Sequence, residues 1–137
     1  MRGMAVASVH LPAEPPSVRG ARVIVAREMA AAGVSSSLAL LLTSELASNV
    51  VQHARTGFDL VVEAAPNRVR VEIHDGMAAT AAFRELIERH PGLPSIQVVN
   101  GRGLLLLTST AAACGVIDKG ADGKAVWFEV VPESEGD

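Results

Sequence analysis

Cysteine is almost absent. Cys114 stands alone among 137 residues, which excludes an intrachain disulfide framework and any multi-cysteine zinc site. Aromatics are nearly as scarce, with three Phe, one Trp and no Tyr, so platforms for stacking nucleic-acid bases are not expected. There is no block of Lys or Arg and the formal net charge is −3, a balance that argues against nucleic acid as a direct partner. No apolar run approaches the roughly 20 residues that a helix needs to span a bilayer. Residues 1–7 carry one charge and a short apolar stretch, then break at His10 and at Pro12, Pro15 and Pro16, which does not make a signal peptide. The four histidines, His10, His53, His74 and His90, lack the spacing of metal ligands. What remains is a chain that is 49% hydrophobic, long enough for one domain with a real core. A single cytoplasmic domain that does not contact the membrane is the expectation.

The hydrophobic period divides the chain. Residues 5–11 alternate weakly, as an edge strand does, and the prolines that follow open a helix over 18–32 with Val18, Ala21, Val25, Met29 and Ala32 on one face. Gly33 is a C-terminal stop, and Ser35, Ser36 and Ser37 offer N-caps for a second helix over 38–54 that ends at Gly57. The period then changes to two. Residues 58–65 and 68–74 form a hairpin around Pro66-Asn67, with Val69, Val71 and Ile73 on its buried face. After Asp75-Gly76 comes a stretch of little sheet character, 77–100, with a short helix near 80–90. A connection this long in a small domain reads as a lid. Gly101-Arg102-Gly103 opens an apolar helix over 104–113, and strands over 114–118 and 124–131 close the domain. The tail, 132–137, is acidic and expected to fray. The reading is one domain over 1–137 with its core at about 5–131. Its fold class is α+β, a two-layer α/β sandwich with helices on one face of a mixed, mostly antiparallel sheet.

The second helix is the centre of the argument. Glu45, Asn49 and His53 lie four apart and make one slowly drifting polar stripe. Leu38, Leu42, Leu46 and Val50 make an apolar stripe about 100° away. An acid and an amide beside a core face are costly unless they meet a ligand or one another. No cation stands at 41 or 49 to pair with Glu45 across a helical turn.

Residues 45–54, ELASNVVQHA, resemble the N-box of the GHKL ATPase and kinase superfamily. Asp75-Gly76 resembles its adenine-binding acidic box, Gly101-Arg102-Gly103-Leu104 its lid glycine box, and residues 123–128, GKAVWF, its closing strand. Each box alone is weak; four in order, with a lid-sized gap between the second and third, are specific. The resemblance is to the single-domain anti-sigma factor and serine-protein kinase branch found in bacteria, and it runs over about residues 5–131. It implies a histidine-kinase-like ATPase fold that binds ATP with Mg2+. By resemblance, Glu45 is a general base and the Asn49 amide oxygen a magnesium ligand, suited to an ion that keeps few protein contacts. Asp75 would accept the exocyclic amine of adenine while Gly76 lets the backbone approach the ring. Gly101 and Gly103 would bring backbone N–H groups to the phosphates with Leu104 beginning the helix, and Arg102 either adds charge there or is a solvated lid residue. His53 either steadies a phosphate or caps the helix C-terminus, capping being the plainer role.

Three departures stand out. Ala125 occupies a position where the family usually has a hydroxyl beside the adenine pocket. Val50 follows Asn49 where alanine is usual, and the lid is alanine-rich. The function expected is an anti-sigma regulator with serine/threonine-protein kinase activity toward an anti-anti-sigma partner. The alternatives are a nucleotide-responsive module that binds a sigma factor without chemistry, and an ATPase in which the same glutamate activates water. A homodimer is expected by analogy with the family.

Overall fold

The computed structural model describes residues 4–78 and 111–135. Strand β1 (Ala5–Leu11) leads into helix α1 (Pro16–Ala32), followed by a two-residue strand β2 (Val34–Ser35) and helix α2 (Ser37–Asn49). Strands β3 (Phe58–Ala65), β4 (Arg68–Asp75), β5 (Ala113–Asp118) and β6 (Lys124–Val130) follow, with a final two-residue strand β7 (Ser134–Glu135). The order in the main sheet is β1-β3-β4-β6-β5. Every pairing among the described residues is antiparallel, so this part of the sheet is uniformly so where the sequence allowed a mixed one. No helix among the described residues is long and apolar enough to cross a membrane.

The elements form where side-chain chemistry places them. Pro16 starts α1 within its first turn, and Ala21, Val25, Met29 and Ala32 are buried along it. Gly33 ends the helix at φ 76°, its N–H donating to the Met29 and Ala30 carbonyls. In α2 the hydroxyl of Ser36 accepts the Ala39 N–H at 3.0 Å, while Ala39, Leu42, Thr43, Leu46 and Ala47 face inward. Helix α1 packs on β1, β3 and α2, and α2 on β4 and β6. Between helices and sheet lies one core containing Phe58, Leu60, Val62, Val69, Val71, Ile73, Val126, Phe128 and Val130.

Beyond shifts of one or two residues at element ends, the structure departs from the sequence reading at the end of α2, at the start of β5 and in the tail. The α-helix stops at Asn49 and a single π turn covers Val50–Ala54, closed by the Arg55 N–H on the Val50 carbonyl at 2.9 Å. The stop residue is Arg55, at φ 56°, and not Gly57. Gly57 lies against His10 instead, so close that a Cβ there would sit 2.7 Å from Nε2. Ala113, assigned from sequence to the end of a helix, opens strand β5, and Ala111 and Ala112 before it are not helical, the Ala112 N–H donating to the Glu129 carbonyl at 2.9 Å; residues 104–110 of that expected helix lie outside the described residues. The acidic tail does not fray where it is described. β7 pairs with β2, and the Glu133 carboxylate accepts the Ser37 N–H at 2.7 Å, the Ser37 hydroxyl at 3.1 Å and the Leu38 N–H at 3.4 Å. An acid at a helix N-terminus satisfies N–H groups that the helix itself cannot.

Candidate nucleotide site

Glu45 and Asn49 sit on the flank of α2 between its buried face and solvent, and both are half-buried. Their positions follow from the period: Leu42, Leu46 and Val50 are anchored in the core, which leaves the neighbouring stripe at the helix edge. His53 is exposed and belongs to the π turn. A π turn winds more residues into each turn than an α turn, so His53 does not continue the α-helical stripe of Glu45 and Asn49.

The short connection from α2 to β3 carries this flank to one end of the sheet. Phe58, the first residue of β3, pairs with Asp75, the last of β4, and Asp75 pairs in turn with Lys124, the first of β6. Thr56, in the connection itself, accepts the Gly76 N–H on its hydroxyl at 3.0 Å. The C-terminal end of α2, the Asp75-Gly76 corner and the start of β6 therefore meet at the same sheet end. On that end Asp75 points to the helix-covered face and is 5% exposed.

Asp75 is a built position. Its Oδ1 accepts the Met77 N–H at 2.7 Å. Lys124 Nζ lies 3.1 Å from Oδ1 and 3.0 Å from Oδ2, and also donates to the Met77 carbonyl at 3.3 Å. Lys124 is itself only 7% exposed. A buried carboxylate is held by a buried ammonium, the arrangement that makes such burial tolerable. Gly123 makes the approach feasible: it adopts φ 110°, and a Cβ there would collide with the Asp75 carbonyl oxygen and the Gly76 Cα.

The sheet register separates two residues that sequence reading had placed together. Ala125 pairs with His74 and Ile117, on the face opposite the helices, and is fully buried. It is Lys124 whose side chain shares the face of Asp75. Gly101, Arg102, Gly103 and Leu104, and the lid beyond residue 78, lie outside the described residues. Sequence reasoning missed Lys124, Thr56 and Gly123 as parts of this corner. The signal for Lys124 was its place one residue after a glycine that starts a strand, but only strand register shows what lies opposite it.

The opposite sheet face carries a charged network. Arg70 donates to Glu72 at 2.9 Å and to Glu129 at 2.9 Å, and its guanidinium stacks 4.1 Å above the Trp127 ring. His74 Nε2 is 2.8 Å from Glu72 and its Nδ1 3.0 Å from Lys119 Nζ. Burial pushes the Glu72 carboxyl up, but the hydrogen bonds from His74 and Arg70, with their charge, outweigh it and leave the group below its usual range. Burial likewise works to lower Arg70, and the hydrogen bonds to Glu129 and Glu72 keep it above its ordinary value. No group of three His, Cys, Asp or Glu able to hold a metal ion occurs among the described residues.

Comparison with known proteins places the chain. The family model described as a histidine kinase-like ATPase domain matches residues 11–130. No curated protein matches. Among solved structures, the crystal structure of the RsbU and RsbW domains of Rv1364c from Mycobacterium tuberculosis superposes with a TM-score of 0.59 at 15% identity, over 95% of this chain and 34% of that one. The chain therefore spans about a third of the length of that structure, and the likeness is one of fold.

Proposed function

The chain belongs to the histidine kinase-like ATPase domain family, and from that premise we propose that it is an ATP-dependent serine/threonine-protein kinase acting on an anti-anti-sigma partner and sequestering a sigma factor. The observation that carries the nucleotide site is the single corner where α2 and the Asp75 end of the sheet are tied through Thr56 and Gly76. Asp75 receives the exocyclic amine of adenine at the buried end of this corner, and Asn49 is the half-buried last residue of α2. Asn49 and the phosphate oxygens would hold magnesium, which neutralises the charge of the transferring phosphoryl group. Glu45, one turn earlier on the same flank, takes the proton from the attacking hydroxyl of the partner. The γ-phosphoryl group passes to that oxygen and ADP leaves. A positioned base of this kind contributes about 10²- to 10⁴-fold in rate.

Support for the anti-sigma assignment comes from the N-box-like sequence of α2 and from the fold shared with the RsbU and RsbW domains of Rv1364c. The test is transfer of labelled phosphate from ATP to a purified anti-anti-sigma protein, with Glu45→Ala beside wild type. Label on the partner that falls at least 100-fold in the variant supports the kinase. Phosphate release in the absence of partner makes the protein an ATPase. Sigma-factor capture without label in either protein makes it a nucleotide-responsive binding module.

A further inference from the structure

The residue that sets the Asp75 corner apart from a lone carboxylate is Lys124. A lone carboxylate is an acceptor only: it takes the amine of adenine, and it meets the 6-oxo group of guanine acceptor against acceptor. In a buried site such a mismatch is a strong basis for rejection, because the polar groups left unpaired have no water to turn to. Here the carboxylate is not alone. Lys124 Nζ lies within 3.1 Å of both Asp75 oxygens, at a register position directly across the strand pair, and both side chains are buried. The corner therefore offers a donor and an acceptor side by side.

We propose that the Asp75–Lys124 pair makes this a site for purine nucleotides generally, guanine as well as adenine. Adenine places its amine on Asp75 Oδ2, whose partner among the described residues is the ammonium. Guanine places its 6-oxo oxygen on Lys124 Nζ, which exchanges its 3.3 Å bond to the Met77 carbonyl for the base, while the ring N–H donates to Asp75. The ammonium also removes the negative charge that would repel the guanine oxygen. This inference rests on the reading that Asp75 receives the base.

The experiment is calorimetric titration of the full chain with Mg·ADP, Mg·GDP and Mg·IDP, for wild type, Lys124→Met, Lys124→Thr and Asp75→Asn, each checked for folding by thermal melting. Wild type should bind GDP within about tenfold of ADP, and IDP, which keeps the 6-oxo group without the 2-amine, comparably to GDP. Either lysine variant should widen the GDP-to-ADP ratio of Kd by about tenfold or more. The wild-type comparison stands even if a lysine variant fails to fold. A wild-type preference for ADP above about a hundredfold, or a ratio that neither lysine variant changes, overturns the proposal. Undiminished ADP binding in a folded Asp75→Asn protein, or no binding of any nucleotide by wild type, removes the base-site reading itself.

Discussion

At Gly123 the backbone adopts φ 110° and ψ −148°, a region that is essentially reserved for glycine. The same residue packs against the backbone of Asp75 and Gly76, with no room for a Cβ. Strain and collision add, so Gly123→Ala should cost about 3 kcal/mol or more, read as a lower urea midpoint at unchanged slope, and it should weaken nucleotide binding by displacing Lys124 from Asp75. The sequence shows Gly123 only as one glycine in a turn; the demand on it comes from a strand 48 positions away, which local pattern does not encode. On the other sheet face Glu72 gives a pH prediction. Its folded pKa lies below the ordinary value of 4.5, so at that carboxyl the folded state holds fewer protons than the unfolded chain. Its contribution is then complete above the unfolded value and is lost as pH falls through the folded one. Glu72→Gln should flatten the fall in stability below about pH 4.5, measured by denaturant melts across pH 3–6.

Helix α2 joins an element that sequence describes well to two features that it does not. The apolar spacing at Leu42, Leu46 and Val50, the serine caps and the half-buried setting of Glu45 and Asn49 all follow from a 3.6-residue period and cap chemistry, and all are present in the fold. The π turn over Val50–Ala54 was not legible, because nothing in VVQHA forbids another α turn. The winding is instead set by the need to keep Val50 in the core while turning the chain toward Phe58 through Arg55. The Glu133 cap was not legible either, since it joins residues 96 positions apart. It predicts that Glu133→Gln destabilises the protein by about 1 kcal/mol, the ordinary value of a cap. Hydrogen exchange should locate that loss at the Ser37 and Leu38 amides, and not at the middle of the helix. An unchanged exchange rate at those two amides would remove the cap from the energetics of α2, and with it any hold of the tail on the helix that carries Glu45.

Taken whole, the molecule is a sheet whose order, β1-β3-β4-β6-β5, assembles the site from segments distant in sequence. The hairpin of β3 and β4 was readable from alternation and its Pro66-Asn67 turn. That β6 inserts between β4 and β5 was not, because strand neighbours across a long connection are chosen by the packing of both faces together. The resemblance of four short boxes substituted for that missing information and led to the correct fold, while the pairing of Asp75 with Lys124 is visible only in the strand register. The assembly has a thermodynamic consequence. On the proposed site, a nucleotide bridging α2 and the Asp75 corner would bind only when helix, connection and three strands are all in place, so its binding energy would add to global stability. At about 100 times its Kd, Mg·ADP should add about 2.7 kcal/mol, a rise in Tm on the order of 10 °C for a chain of this size. Asp75→Asn combined with Lys124→Met removes both charges at once and leaves neither buried and unpaired. That variant should fold, yet lose most of the rise. Asn49→Ala should lose the part of the rise that depends on magnesium and keep what ADP gives in the presence of EDTA. If instead the double variant kept the full rise, the base would be bound away from the end of β4, and the link between α2 and that corner would be structural alone.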